Sequence, residues 1–361
     1  MKNNQKPGFL PTKVQVVLSI PPETVDYNIS TNLQQIPNWF GELFYPNGYE
    51  AIIISAGPSM EKYVEEMNLK ERMENTERKF IVFCVKHSLP RLLEMGIEPD
   101  FCVILDGRPF DEDSTHGVNR KSLFTKIPER TVFLIASMSN PGYANYLMIN
   151  GARVLGWHTA VDGIRKFQEQ GLIKEAIITG GTSSGTRCIG IANAMGMREM
   201  TLIGFDSCIL NPTESQLKEK DSKGRMKYIP IDLPINNPVT QISSDERYLI
   251  DSLTDGFRQR GLVYLSSLSK RFYSTGELIA QAQDFEAILT NTMFDIKFRV
   301  LDDGLVGHMF KNLPNVARRN YDFLGYVRNL CPRKNPSEMP KREITVGEKK
   351  KVEMKIQTES Q

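Results

Sequence analysis

Short apolar runs, each closing on a small or polar residue, recur along the first two thirds of the chain. Between residues 50 and 206 they read AIIIS, FIVFCV, DFCVILD, TVFLIAS, ARVLGW, EAIIT and MTLIGFD, and stretches with helical spacing separate them. Continuous apolar runs suit strands covered on both faces. Strands alternating with helices predict βαβ units and a mostly parallel sheet with helices on both faces. The fold class is therefore α/β and Rossmann-like, with a C-terminal helical extension. Residues 1–45 carry one strand-like run, KVQVVLSI, and a Pro- and Asn-rich connection, PPETVDYNISTNLQQIPNW, and read as an arm packed on the core. The main domain spans 46–270, and within it the polar, Pro- and Lys-rich segment 211–242 is long enough to be a lid-like insertion. A capped amphipathic helix, SSDERYLIDSLTDGFRQRG, and a strand, LVYLSSL, follow it. Residues 271–332 read as helices, opening with STGELIAQAQDFEAILTN, and 333–361 lack aromatics and periodicity and read as a disordered tail.

Two turns between strand and helix carry candidate chemistry. In AIIISAGPSM the apolar run meets Gly57, Pro58 and Ser59 before a helical stretch. A helix start offers free backbone N–H groups and a positive dipole end, which suits a phosphate, and Gly57 would allow close backbone approach. An ordinary capped helix fits the same residues equally well. The second turn, Gly180 to Gly185, contains Gly181, Thr182, Ser183 and Ser184 and leads into a helix of small residues, Cys188, Gly190, Ala192 and Ala194. Small residues let that helix lie close to the sheet, and the turn gathers several donors at its start. It is not a Walker loop, because no lysine follows the last glycine, and its glycine spacing is not that of the dinucleotide fingerprint. Asp106 and Asp206 each close a strand, where open α/β sheets bind ligands. Each suits a ribose hydroxyl, Mg²⁺ or a base; each also suits a simple cap on the next helix or turn.

Composition narrows the classes. The 361 residues are 40% hydrophobic and 24% charged with a net charge of +2, so the chain has ample material for a core and no global field for nucleic acid or a membrane surface. Five cysteines form no CxxC pair, which favours reduced thiols in a cytoplasmic protein. No run approaches the ~18 apolar residues of a membrane span.

The segments SAGPSM, LPRLLEMGIEPDFCVILD and GGTSSGTRCIGIANAMGMREMTLIGFD follow one another in this order. Together they resemble the 6-hydroxymethylpterin diphosphokinase MptE-like family. Its members are similar to the motility-associated factor glycosyltransferases of flagellated bacteria and, more distantly, to bacterial sialyltransferases that use CMP-sialic acid. The resemblance covers roughly residues 50–210, and TVDYNISTN and STGELIAQAQDFE also look like phage-encoded members. It implies that Ala56, Gly57, Pro58 and Ser59 lie against nucleotide phosphates or ribose. It implies a nucleotide-contacting position near Lys86, where the sialyltransferases have asparagine and a lysine would pair with a phosphate. Asp106 falls on a third position, and Thr182, Ser183, Ser184 and Gly185 on a loop that grips the nucleotide or donor sugar. The sialyltransferases place a histidine base in the lid after the last motif, and residues 207–260 contain no histidine.

Only four histidines are present. His87 and His158 follow or end strand-like runs, His116 lies in a polar loop and His308 in the C-terminal helices, and His158 is the best placed to reach the strand tips. Three readings follow. One is a nucleotide-dependent glycosyltransferase binding a nucleotide-sugar through the two loops, with Asp106, His158 and Asp206 as candidate catalytic groups. A second is a diphosphokinase moving the terminal diphosphate of ATP to a pterin-like alcohol, with Asp106 holding Mg²⁺. The third is a non-catalytic nucleotide- or sugar-binding protein, as from a phage, that kept the fold and lost the base.

Overall fold

A computed structural model describes residues 20–111, 119–218, 228–234, 262–266, 271–291, 296–312 and 333–334. The strand-like run before Ile20, His116, the helical stretch 243–261 and the tail beyond 334 lie outside the described residues, as does much of the 211–242 insertion.

All seven apolar runs form strands: β1 (Glu50–Ile54), β2 (Phe80–Val85), β3 (Phe101–Ile104), β4 (Val132–Ala136), β5 (Arg153–Thr159), β6 (Ile177–Ile178) and β7 (Glu199–Ile203). An eighth, β8 (Lys297–Leu301), completes a sheet ordered β8-β7-β1-β2-β3-β4-β5-β6, parallel at every pairing. Side-chain alternation divides the buried strand residues between two cores. Ile53, Val103, Leu134 and Trp157 face one side with helices α1 (Pro22–Gln35) and α7 (Ser184–Ala194). Ile52, Ile54, Ile104 and Ile135 face the other with α2 (Met60–Glu66), α3 (Leu69–Glu74), α4 (Leu89–Glu94) and α5 (Pro141–Ile149). A further short helix, α6 (Ile164–Glu169), joins β5 to β6, and α8 (Gly276–Asn291) and α9 (Leu305–Asn312) flank β8.

Two expectations change. The segment 271–332 is not helical throughout: β8 pairs with β7 from Lys297↔Glu199 to Leu301↔Ile203 as an edge strand of the main sheet. Its sequence KFRVL alternates charged and apolar residues up to Val300, with Lys297 and Arg299 exposed, which hides it from a search for continuous apolar runs. The Pro- and Asn-rich connection is also a helix. In α1 the buried positions are Val25, Asn28, Ile29, Asn32 and Leu33, a helical spacing masked because two of the five are asparagines. Outside the main sheet, Leu262–Ser266 pairs in parallel with Tyr228–Pro234 and antiparallel with Arg271–Ser274. Arg333 and Lys334, at the start of the tail, pair with Leu43 and Phe44.

Strand order reverses direction at β1, which lies between β2 and β7. The chain therefore leaves the carboxyl ends of β1 and β7 toward opposite sides, opening the kind of crevice in which α/β sheets bind ligands.

Candidate functional site

Because the strands are parallel, the residues that follow β1, β2, β3, β6 and β7 all stand on one edge of the sheet. The tips are tied together: Ser55 N–H bonds to Ile203 O at 2.9 Å, and the Ser88 hydroxyl to Ile54 O at 3.2 Å. A side chain on Gly185 would touch Ser55 Oγ at 3.3 Å and Phe205 at 3.2 Å, so the Gly-rich turn abuts the turn after β1.

At the reversal point the anion seated at the start of α2 is Asp206. It is fully buried, and its Oδ2 accepts the backbone N–H of Ser59 at 3.0 Å and the Ser59 hydroxyl at 2.9 Å, while Oδ1 accepts Asp303 N–H at 3.2 Å. Gly57 donates its N–H to Gly204 O at 2.9 Å, and a Cβ there would overlap Asp206 Oδ2 and the Gly204 carbonyl. The glycine at 57 is thus demanded by the protein's own packing. Burial raises the Asp206 pKa, and the bonds from Ser59 and Asp303 oppose that rise. Ala56 and Pro58 remain exposed on the turn.

Lys86 and Asp106 meet directly, although 20 residues apart. Both are almost wholly buried and form an ion pair at the tips of β2 and β3. Around the same carboxylate, Arg108 Nε approaches Oδ1 at 2.8 Å, Arg120 Nε approaches Oδ2 at 3.2 Å, and Tyr143 donates its hydroxyl to Oδ2 at 3.4 Å. Lys86 Nζ also donates to the Tyr143 oxygen at 3.0 Å. Burial pushes the Asp106 pKa up, but the Arg108 bond and the Lys86 charge outweigh it and hold the carboxyl below its usual range. Burial lowers the Lys86 pKa, with Asp106 opposing, and raises that of Tyr143, so the phenol keeps its proton. Among the described residues, three cations meet on this one carboxylate, and the Glu277 charge also acts on Arg108.

Helix α1 holds the corner from behind. Asn28 Nδ2 donates to Gly107 O at 3.1 Å and Met138 O at 3.0 Å, and Asn32 Nδ2 donates to Ser137 O at 2.9 Å and Ser139 O at 2.7 Å. The backbone beside Asp106 is fixed by these four bonds. Arg108, Arg120, Tyr143, Asn28 and Asn32 are additions that sequence reasoning missed. Arg108, two residues after a strand-end aspartate, was the one with a local signal.

In the second turn, Gly180 and Gly181 adopt φ of 124° and 70°, a left-handed backbone that favours glycine. Ser183 and Thr186 form a reciprocal capping box at the start of α7, with Thr186 N–H to Ser183 Oγ at 3.2 Å and Ser183 N–H to Thr186 Oγ1 at 3.3 Å. Thr182 bonds to Asp284 of α8. Ser184 is half-buried in the first turn of α7. Gly190 faces Thr179 O so closely that a Cβ would overlap it, as expected for a helix lying tight on the sheet.

His158 stands apart from these groups. It is fully buried, its ring stacks on Trp39 with centroids 4.4 Å apart, and Nε2 lies 3.6 Å from Glu175 Oε2, beyond hydrogen-bond length. Burial lowers its pKa, with Glu175 opposing. His87 is exposed at the β2 tip and His308 lies on α9 beside Phe272. Among the described residues, no cluster of three or more His, Cys, Asp or Glu side chains is arranged to hold a metal ion, and no helix is long and apolar enough to cross a membrane.

A family model described as 6-hydroxymethylpterin diphosphokinase MptE-like matches residues 24–212, more than half of the chain. The chain belongs to the MptE-like family. Among solved structures this MptE-like chain is similar to an MAf glycosyltransferase from Magnetospirillum magneticum AMB-1, at 12% identity and a TM-score of 0.44. The likeness covers 85% of this chain and 43% of that one, so the chain spans less than half the length of that neighbour. No curated protein matches. The matched span holds β1 to β7, the Asp106 corner and both turns, whereas α8, β8 and α9 of this MptE-like chain follow it.

Proposed function

We propose that the chain is a nucleotide-dependent transferase of the glycosyltransferase kind, binding a nucleotide-sugar at the carboxyl edge of its sheet. The observation that carries this reading is the gathering of Lys86, Arg108 and Arg120 on Asp106 at the strand tips. Arg108 is the partly exposed member, its side chain 34% accessible, and a guanidinium so placed pairs well with phosphate oxygens. In this reading Asp106, with buried Lys86, Arg120 and Tyr143 behind it, orders Arg108 to meet the diphosphate, and Ala56, Pro58 and Ser184 line the nucleoside side. Gly57, Ser59, Ser183 and Gly185 shape the two turns from within, as does Gly181, while Thr182 is exposed on the second turn. Catalytic roles for His158 and Asp206 would need each to be uncovered, and the reading uses neither.

The diphosphokinase alternative asks Asp106 to hold Mg²⁺. Three cations within about 3 Å of that carboxylate would oppose a divalent ion by direct repulsion, which favours neutralisation of the phosphates by arginine and lysine.

Melting the full chain with CMP, UDP, GDP and ATP, each with and without Mg²⁺, tests this. A ligand at a hundred times its Kd stabilises the native state by ~2.7 kcal/mol. Metal-free stabilisation by CMP or UDP, weakened at least tenfold in affinity by Arg108→Gln, is the expected result. A response to ATP that requires Mg²⁺ would favour diphosphate transfer instead. If no nucleotide moves the melting temperature, the reading fails and a non-catalytic role takes its place.

A further inference from the structure

A carboxylate already sits in the Gly-rich turn. Asp284 Oδ2 accepts both the backbone N–H and the hydroxyl of Thr182, each at 2.6 Å, and a side chain on Gly181 would meet the same oxygen at 3.0 Å. Short bonds from an N–H and an O–H converging on one charged oxygen are the means by which proteins hold an oxyanion.

Beneath the turn lies a positive charge without an ion pair among the described residues. Arg187 gives Nη1 to Ile178 O at 3.0 Å and Nη2 to Ala160 O at 3.5 Å, and its Nε is buried with no hydrogen-bond partner. Thr159, flanked by those same carbonyls' strands, is fully buried and its Oγ1 has no partner either. Strand alternation puts Thr159 on the same face of the sheet as Trp157, which is the face that α7 and Arg187 cover. The Thr179 hydroxyl is a third buried donor left open. A buried donor without an acceptor costs about 1–3 kcal/mol, so Arg187 Nε and the Thr159 hydroxyl, on the face that α7 covers, call for an acceptor. Burial lowers the Arg187 pKa to about 10 and the Asp284 charge opposes this, so the two groups feel one another.

Two bonds to Thr182 hold the Asp284 side chain, whereas the core holds its helix. Ile279, Ala282, Phe285 and Leu289 anchor one face of α8 in the core, and only the side chain of Asp284 needs to rotate for the turn to open.

We propose that Asp284 is an internal stand-in for the ligand's oxyanion: Thr182, Arg187 and Thr159 form a seat for a phosphoryl or carboxylate group, and the Asp284 side chain turns out as that group enters. The substrate's identity rests on the transferase reading; the exchange itself does not. A tethered carboxylate competes at high effective concentration, so removing it should tighten anion binding substantially.

The test is calorimetric titration of the full-length protein with inorganic phosphate and, separately, acetate. Asp284→Ala and the near-isosteric Asp284→Asn should each bind one of the two at least tenfold more tightly than wild type, phosphate for a phosphoryl seat and acetate for a carboxylate seat. Adding Arg187→Gln to Asp284→Asn should abolish the gain. If folded Asp284→Asn binds both anions no better than wild type, Asp284 is a structural cap of the turn and the proposal is overturned. Nucleotide binding in wild type with no gain in the variants would leave the transferase reading standing alone, whereas a gain without any nucleotide response would sustain the exchange and sink that reading.

Discussion

Burial leaves Asp302 with Oδ1 bonded to the N–H groups of Gly304 at 2.9 Å and Gly307 at 2.8 Å, and with Oδ2 lacking a partner. Desolvation, with the charge of Asp206 adding to it, raises its pKa from 3.8 to about 6. A carboxyl that holds its proton more tightly folded than unfolded stabilises fully below the unfolded pKa, and that contribution is lost as pH rises through the folded one. For a shift of ~2 units the loss between about pH 4 and pH 6 is on the order of 3 kcal/mol. Asp302→Asn keeps the acceptor for both N–H groups and removes the charge. It should melt above wild type at about pH 7.5, and this lead should shrink as the pH falls toward about 4; a lead that does not change across that range would show that Asp302 carries no such penalty. Legibility differs sharply among single residues. Lys86, Asp106 and Asp206 could be placed at strand ends because apolar runs mark where strands stop. Their partners could not be read, since Ser59 and Asp206 are 147 positions apart and nothing local tells Ser59 that its donors face a carboxylate. The turn after β1 looks the same in sequence whether its anion comes from a ligand or from the chain.

Among the elements, continuous apolar strands were legible and amphipathic edge elements were not. Helix α1 shows why: Asn28 and Asn32 occupy core positions because each satisfies two backbone carbonyls there, and a hydrophobicity pattern counts them as surface. Asn32→Ala should therefore behave as a severe core substitution. It leaves the carbonyls of Ser137 and Ser139 buried without their donor, at about 1–3 kcal/mol each by the general cost of an unmet group. Urea unfolding should show the midpoint lowered with the slope unchanged. A variant as stable as wild type would mean that water replaces the amide and that α1 does not hold the Asp106 corner.

Over the whole molecule, a net charge of +2 conceals one corner where three cations converge on Asp106. That concentration has a consequence for the obvious mutation. Asp106→Asn removes the carboxylate that ion-pairs with Lys86 and Arg108, and breaking a buried pair by deleting one partner costs ~3–5 kcal/mol. The variant should therefore melt well below wild type in buffer free of divalent metal, so a severe effect by itself says nothing about Mg²⁺. What separates a cation seat from a metal site is rescue. Inorganic phosphate should raise the melting temperature of Asp106→Asn more than that of wild type, because the anion replaces the missing charge, and this gain should shrink with added salt as screening grows. Mg²⁺ should do nothing for the variant. If Asp106→Asn melts like wild type, or if phosphate stabilises both proteins equally, the three cations do not depend on Asp106 for their balance and the corner is not a phosphate seat.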